Sequence, residues 1–321
     1  MNILITGYCG FVGPYAAQTW LDNGQQVFGS TFLDMRERCA IFHGIDARVE
    51  WRSCDITDPA ACRELIAWSR PDRVIHLAAQ SHIPTSIQQP ELTRKINVEG
   101  TRNLLDAIRE VSGDAPPRVL LAGSALQYGT VPPEALPVTE ATPLHPENPY
   151  AESKNEQERV ALDSELPVYF ARPFNHFGPG QRTGFVASDF ARQIARIKLG
   201  KQESVLRVGN LEPWRDFLDV RDVIRAYMDI LERGKARTPY NIASNSEIQM
   251  RQILEILAEC AEVQPKVETD PQLYRETKHL HFRGSYERLH TDTGWRPQIP
   301  IRQTLRDVLQ FWLNDETDGG R

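Results

Sequence analysis

The sequence predicts an α/β protein: a doubly wound parallel sheet with a smaller C-terminal α/β lobe. Three observations carry this. Short apolar runs alternate with helical stretches through the first half of the chain, the pattern of parallel strands covered on both faces. The run Leu4-Ile5-Thr6 leads into three glycines spaced at three, Gly7, Gly10 and Gly13, and then into a helical stretch. A pyrophosphate needs that arrangement of a tight turn, a backbone without Cβ atoms and a helix N-terminus. After Arg172 the alternation loosens into a stretch rich in Gly, Pro, Asn and His, which reads as a loop over a pocket.

In order, residues 2–6 read as a strand and 11–23 as a helix ended by Gly24. Residues 27–31 and 49–54 are strands, the second stopped by Asp55. Residues 59–69 form a helix, 72–77 a buried strand, 90–111 a long helix and 118–122 a strand. A helix over 150–164 and a strand over 168–172 complete the first unit. Beyond it, 185–199 is helical, 205–208 and 215–218 are short strands, 219–233 is a helix and 239–242 a strand. Residues 250–261 and 302–313 are two late helices, and the polar tail 314–321 reads as frayed. Residues 1–172 are thus expected to form a Rossmann-like dinucleotide-binding domain. Residues 173–321 form mainly a substrate-binding lobe, with elements of about 214–243 packing back onto the first domain.

A chain of 321 residues buries a large core without help from disulfides. The net charge of −6 argues against broad nucleic-acid binding, which wants a basic face. The five cysteines Cys9, Cys39, Cys54, Cys62 and Cys260 contain no Cys-x-x-Cys pair, so neither a disulfide framework nor a zinc site is expected. No apolar run approaches the ~18 residues of a membrane span. The chain opens directly into a strand, and a cytoplasmic location is expected.

Tyr150 and Lys154 lie four apart on a helix and share one face. Asn148 can cap that helix and Pro149 fits its first turn. A phenol is a poor acid or base at neutral pH unless tuned, and a nearby ammonium is expected to lower its pKa. Ser124 ends a strand in Gly123-Ser124-Ala125-Leu126-Gln127-Tyr128-Gly129, where its hydroxyl can hold a substrate carbonyl beside the phenol.

These pieces resemble the extended short-chain dehydrogenase/reductases, the family of nucleotide-sugar epimerases, dehydratases and reductases. The resemblance rests on Thr6-Gly7-Tyr8-Cys9-Gly10-Phe11-Val12-Gly13, Cys54-Asp55-Ile56, Val74-Ile75-His76-Leu77-Ala78-Ala79, Asn97, Ser124, Tyr150 with Lys154, and Arg172-Pro173-Phe174-Asn175. It implies that Tyr150 moves the proton, Lys154 also holds the nicotinamide ribose, and Ser124 orients the reacting oxygen. Asp55 and Ile56 would flank the adenine, and Ala78 and Ala79 would line the cofactor's path with Leu77 beside them. Phe11, Val12, Asn97 and Arg172 join the cofactor set.

Later segments resemble the branch of GDP-mannose 4,6-dehydratases and GDP-4-keto-6-deoxy-D-mannose reductases. They run from Phe174 to Gln181, from Gly184 to Val186, from Val208 to Phe217 and from Thr293 to Pro297. By that resemblance Asn175, Val186, Arg192, Asn210, Arg215 and Arg275 would line the nucleotide-diphosphate site, with Gln127 and Phe185 among the substrate contacts. Dehydratases of this branch carry an acid two before the tyrosine of the Tyr-Gly pair, where this chain has Leu126. Leucine moves no proton, so the expected reaction is reduction of a 4-keto sugar nucleotide, GDP-4-keto-6-deoxy-D-mannose to GDP-D-rhamnose or a close analogue. A nucleotide-sugar 4-epimerase, or another epimerase or dehydratase, is the alternative, and a non-catalytic ligand sensor on the same fold a more distant one.

Two departures stand out. The branch's Arg-Pro-x-Glu motif here reads Arg275-Glu276-Thr277-Lys278, which leaves the nucleotide base open. Thr31 stands where NAD-preferring members hold an aspartate, with Arg36 and Arg38 shortly after; this favours NADP, although Asp34 keeps NAD open. His76 reads as a packed core residue, while His82 and His176 fall in loops where each could touch the sugar. His279 and His281 share a strand face without further metal ligands. A homodimer is expected through helices 90–111 and 150–164, with Leu92, Ile96, Leu104 and Ile108 as the apolar stripe of the first.

Overall fold

The computed structural model describes residues 1–32, 47–277 and 280–317. Its strands are β1 (Asn2–Thr6), β2 (Gln26–Thr31), β3 (Glu50–Ser53), β4 (Arg73–His76), β5 (Arg118–Ala122), β6 (Val168–Pro173), β7 (Asn175–Phe177), β8 (Val205–Val208), β9 (Trp214–Arg215), β10 (Phe217–Asp219), β11 (Pro239–Ile242), β12 (Ile248–Gln249), β13 (Lys266–Thr269) and β14 (His281–Phe282). Seven of them form one sheet in the order β11-β6-β5-β4-β1-β2-β3, and every neighbouring pair is parallel. The order reverses between β4 and β1, which opens a crevice beyond their carboxyl ends.

Side-chain alternation builds the two faces. Ile3 and Ile5 of β1 join Ile75, Leu120, Trp20, Tyr227 and Trp295 on one face, under helices Val12–Asp22 and Val220–Arg233. Leu4 joins Val74, Val119, Leu121, Leu104 and Ile108 on the other, under helices Pro59–Ser69, Gly100–Ser112 and Pro149–Asp163. Each such aliphatic side chain contributes about 1.5–3 kcal/mol on burial. A third core lies between helices Val186–Lys198, Met250–Ala261 and Ile301–Thr317, with Leu206 and Val208 of β8 among them. β11 returns from the later half of the chain to pair with β6.

Three departures from the sequence reading have physical causes. The long helix from Pro90 contains a π turn at Lys95–Glu99 between Pro90–Arg94 and Gly100–Ser112. One extra residue in a turn shifts the helical phase. Leu104 and Ile108 therefore pack on the sheet while Leu92 is 43% exposed, and the expected single stripe is split. The expected strand 215–218 is divided at Asp216 into β9 and β10: Asp216 N still donates to Phe282 O at 3.0 Å, while its buried carboxylate accepts from Ser244 N, Ser244 Oγ, Asn245 N and Gly284 N and ties the chain to those loops. The loop after Pro173 contains β7, paired in parallel with β10.

Candidate active site

The glycine loop closes tightly on itself and on the loop after β4. Gly7 has φ +70°, and a Cβ there would stand 2.7 Å from Ala78 N. Gly10 N donates to Gly7 O at 2.9 Å. At Gly13 a Cβ would run into the Tyr8 carbonyl, so only glycine lets helix Val12–Asp22 start this close to the strand. Gly13→Ala should cost about 1–3 kcal/mol of stability, read as a lower urea midpoint; an unchanged midpoint would count against this packing. The helix carries no side-chain N-cap and no acid in its first turn, so its N–H groups and positive dipole end fit an anion. Phe11 and Val12 are half-buried at this entry. Phe11 stacks on His176 at 6.4 Å between ring centroids, and Tyr15 donates to Pro179 O at 2.8 Å, which draws the loop after β7 over the crevice.

The rest of the expected cofactor set borders the same crevice in part. Leu77, Ala78 and Ala79 are half-buried just after β4. Thr31 ends β2 and its carbonyl accepts from Cys54 N. Asp55 Oδ1 accepts from Thr57 N and Oγ1, and Ile56 packs against Gly100. Arg36 lies outside the described residues, as do Asp34, Arg38, Lys278 and His279.

Asn148 caps helix Pro149–Asp163 by accepting from Ala151 N at 2.9 Å, and Pro149 occupies its first turn. The helix thereby aims Tyr150 at Ser124 and places Lys154 Nζ 6.0 Å from the Tyr150 ring centroid. Burial pushes the Tyr150 phenol up to about 12, and a hydrogen bond with Ser124 draws it back only in part. The expected lowering by Lys154 is not found. The reason is geometric: Nζ donates to Ala122 O at 2.8 Å and Gln157 Oε1 at 3.0 Å, and burial alone brings the lysine down to about 7. Desolvation of the phenol outweighs a partly charged amine. Ser124 also accepts from Leu126 N at 3.2 Å, which fixes the turn Ala125–Tyr128.

Several expected ligand contacts have their polar groups committed inside the protein instead. Gln127 is fully buried: its Oε1 accepts from Ser124 N and its Nε2 donates to Glu158. Arg172 pairs with Glu158 and donates to Tyr128 Oη. Asn97 clamps both backbone groups of Gln80 and donates to Ser153 Oγ. Arg192 lies over Trp312 and binds Glu316 at 2.9 Å, on the C-terminal helix. The first three all bond to helix Pro149–Asp163, while Arg192 is tied to the C-terminal helix and a different core.

On the outer side, Asn175 and His82 are exposed, and Phe185 is 40% exposed with Val186 half-buried next to it. His82 bonds Thr85 Oγ1, and His176 Nδ1 bonds Phe174 O. Arg215 donates to Trp214 O, Leu280 O and Thr277 Oγ1, and Asn210 donates to Arg275 O. These contacts gather Asn210, Arg215 and Arg275 along one rim. His281 stacks on Trp214 and bonds Glu247. Glu158 is the contact that sequence reading missed. Its signal was present: an acid four residues after Lys154, on the same buried helix face.

His76 is buried between Thr6 Oγ1 at 2.7 Å and Thr101 Oγ1 at 2.9 Å. Burial, aided by Lys154, holds it down to about 3. Its folded pKa is below the ordinary value, so the unfolded chain binds the extra proton between the two, and this stability is lost as pH falls. From pH 7 to pH 5 the residue should withdraw about 2 kcal/mol. Urea titrations at both pH values should show the drop shrinking in His76→Gln; an equal drop in both proteins would contradict it.

The fold and this site define an extended short-chain dehydrogenase/reductase, an enzyme class built on a dinucleotide crevice and a Ser-Tyr-Lys set. The chain belongs to the GDP-mannose 4,6 dehydratase family, whose model matches residues 4–308. It is 43% identical over 265 residues to GDP-6-deoxy-D-mannose reductase of Pseudomonas aeruginosa, covering 80% of this chain and 85% of that protein. GDP-mannose 4,6 dehydratase 2 of Arabidopsis thaliana is 29% identical over 95% of this chain and 85% of its own length. A structure of RMD from Pseudomonas aeruginosa complexed with NADPH superposes with a TM-score of 0.83 at 36% identity, over 98% of this chain and 99% of that one.

Proposed function

We propose that the protein is an NADPH-dependent reductase of a 4-keto sugar nucleotide. The substrate that fits best is GDP-4-keto-6-deoxy-D-mannose, reduced to GDP-D-rhamnose or a close analogue. The observation that carries this is Tyr150, held protonated against Ser124, with Leu126 in the adjoining turn. The 43% identity to a GDP-6-deoxy-D-mannose reductase and the NADPH complex of a solved relative support it.

The glycine loop, Thr31 and the half-buried segment after β4 would hold the dinucleotide; when bound, NADPH supplies a hydride to C4. The chain's own groups handle the proton. At neutral pH a phenol at about 12 carries its proton, the form that reduction requires. Ser124 donates to the C4 oxygen, and Tyr150 gives that oxygen its proton as negative charge develops. Lys154, in its charged form, offsets the phenolate left behind. Leu126 offers no group to remove the proton needed for dehydration. The elements after Pro173, with the rim of Asn210, Arg215 and Arg275, would hold the nucleotide diphosphate, for which arginine is suited.

The test is product analysis with one equivalent of NADPH. Reduction consumes one NADPH per product formed; turnover without net consumption would make the protein an epimerase. Thermal shifts with GDP, UDP, CDP and dTDP sugars would identify the base, since binding to the native state raises apparent stability. We also propose a homodimer built on the face where Ile87 (62%) and Leu92 (43%) are exposed. Sedimentation should give twice the chain mass at micromolar concentration, and a monomer there would refute it.

A further inference from the structure

A chain of buried side chains joins the glycine loop to the catalytic helix. Thr6 Oγ1 meets His76 Nδ1 at 2.7 Å, and His76 Nε2 meets Thr101 Oγ1 at 2.9 Å. Gln157 Nε2 donates to Thr101 Oγ1 at 2.6 Å, and Lys154 Nζ donates to Gln157 Oε1 at 3.0 Å. None of the five is more than 3% exposed.

Counting hydrogens gives the chain a direction. Thr101 has one hydroxyl proton, and it goes to Asn97 O at 2.6 Å. Its oxygen must therefore accept from both Gln157 and His76. His76 then carries its proton on Nε2, and its Nδ1 accepts from Thr6. The Gln157 amide is likewise fixed: its NH2 faces Thr101, so its carbonyl faces Lys154. An amide turned the other way would set NH2 against the ammonium and lose both bonds. Two of the three Lys154 N–H groups are used by Ala122 O and Gln157 Oε1.

We propose that Gln157 is a positioning residue, which holds the Lys154 amine beside Tyr150 with its third N–H turned to the nucleotide ribose. This rests on the reading of the protein as an NADPH-dependent reductase. Removing the acceptor frees Nζ to swing, which weakens both ribose binding and the support of the phenolate. The titratable groups that face this pair are Tyr150 on the same helix, His76 from β4, and Tyr227, which faces Tyr150 from helix Val220–Arg233. Glu158, next in sequence, is occupied by Arg172 and Gln127.

The test uses the full chain, with NADPH dissociation constants and steady-state rates measured from pH 6 to pH 10. Gln157→Met should weaken NADPH binding and lower kcat by about tenfold each, the size expected for a lost hydrogen bond to a charged group. It should also move the alkaline limb of NADPH binding to lower pH. Gln157→Glu keeps an acceptor and adds a negative charge, so it should restore most of the affinity and move that limb to higher pH. Opposite displacements of the limb would support the proposal, because a purely structural residue lowers stability without moving it in two directions. Wild-type affinity and pH profile in Gln157→Met, or identical profiles in both variants, would overturn it. The binding arm needs no turnover. Failure of the wild-type protein to bind NADPH would instead sink the reductase reading, and this proposal with it.

Discussion

Tyr150→Phe should fold, bind NADPH with little change and turn over about 10²–10⁴-fold more slowly, the usual contribution of a positioned general acid. The side chain lies at the start of a capped helix and its hydroxyl meets Ser124. Replacing it by hydrogen leaves the ring, its packing and the Lys154 contacts in place. The loss should therefore fall on kcat and leave the NADPH dissociation constant within about twofold, since an interaction made in the transition state alone acts that way. Ser124→Ala should also lower kcat, though by less, because water or the phenol itself can still bond the C4 oxygen. Near-native rates in Tyr150→Phe would remove Tyr150 from the mechanism. The direction of the tyrosine's pKa gives a further check. A phenol pushed up by burial stays protonated across the physiological range, so reduction should not decline on its account until well above neutrality.

Much of the central sheet is legible in the sequence because its strands are buried on both faces and read as short apolar runs. The strands at 2–6, 118–122 and 239–242 show the same limits in the structure as the runs suggest. The catalytic helix is equally readable, since Asn148 and Pro149 punctuate its start. The elements that the sequence hides are held by tertiary contacts instead of by their own pattern. β12 and β14 have two residues each and exist because β9 pairs with both. The π turn at Lys95–Glu99 leaves no mark in composition, yet it decides which face Leu92 takes. At the site, residue types in sequence show which groups are present but not which are already occupied. Gln127 and Arg172 are polar residues close to the reacting end of the sheet, and only the fold reveals that Glu158 has claimed both.

Arg172→Met should therefore act on stability, with a cost of about 3–5 kcal/mol, the range for breaking a buried ion pair by removing one partner. The pair is nearly sealed: the Arg172 and Glu158 side chains are 5% and 10% exposed. Burial works against the guanidinium's charge, but Glu158 and Tyr128 more than compensate and leave its pKa above the ordinary value. Methionine retains the length of the stem and removes the donors, so the Glu158 carboxylate would face the core with Gln127 Nε2 as its remaining side-chain partner. Urea unfolding should show the loss directly, while the folded fraction should bind NADPH with an affinity close to that of the unmodified protein. A second substitution, Glu158→Met, made in the Arg172→Met background should return part of the stability, because no buried charge is then left without its counterpart. It should also disturb Ser124, since Gln127 would lose the carboxylate that orients its amide and so its hold on Ser124 N. The double variant is thus expected to be more stable than Arg172→Met and slower than it at saturating substrate. The opposite result, an unchanged urea midpoint with NADPH affinity reduced about tenfold or more, would return Arg172 to the cofactor site that its place in the sequence first suggested.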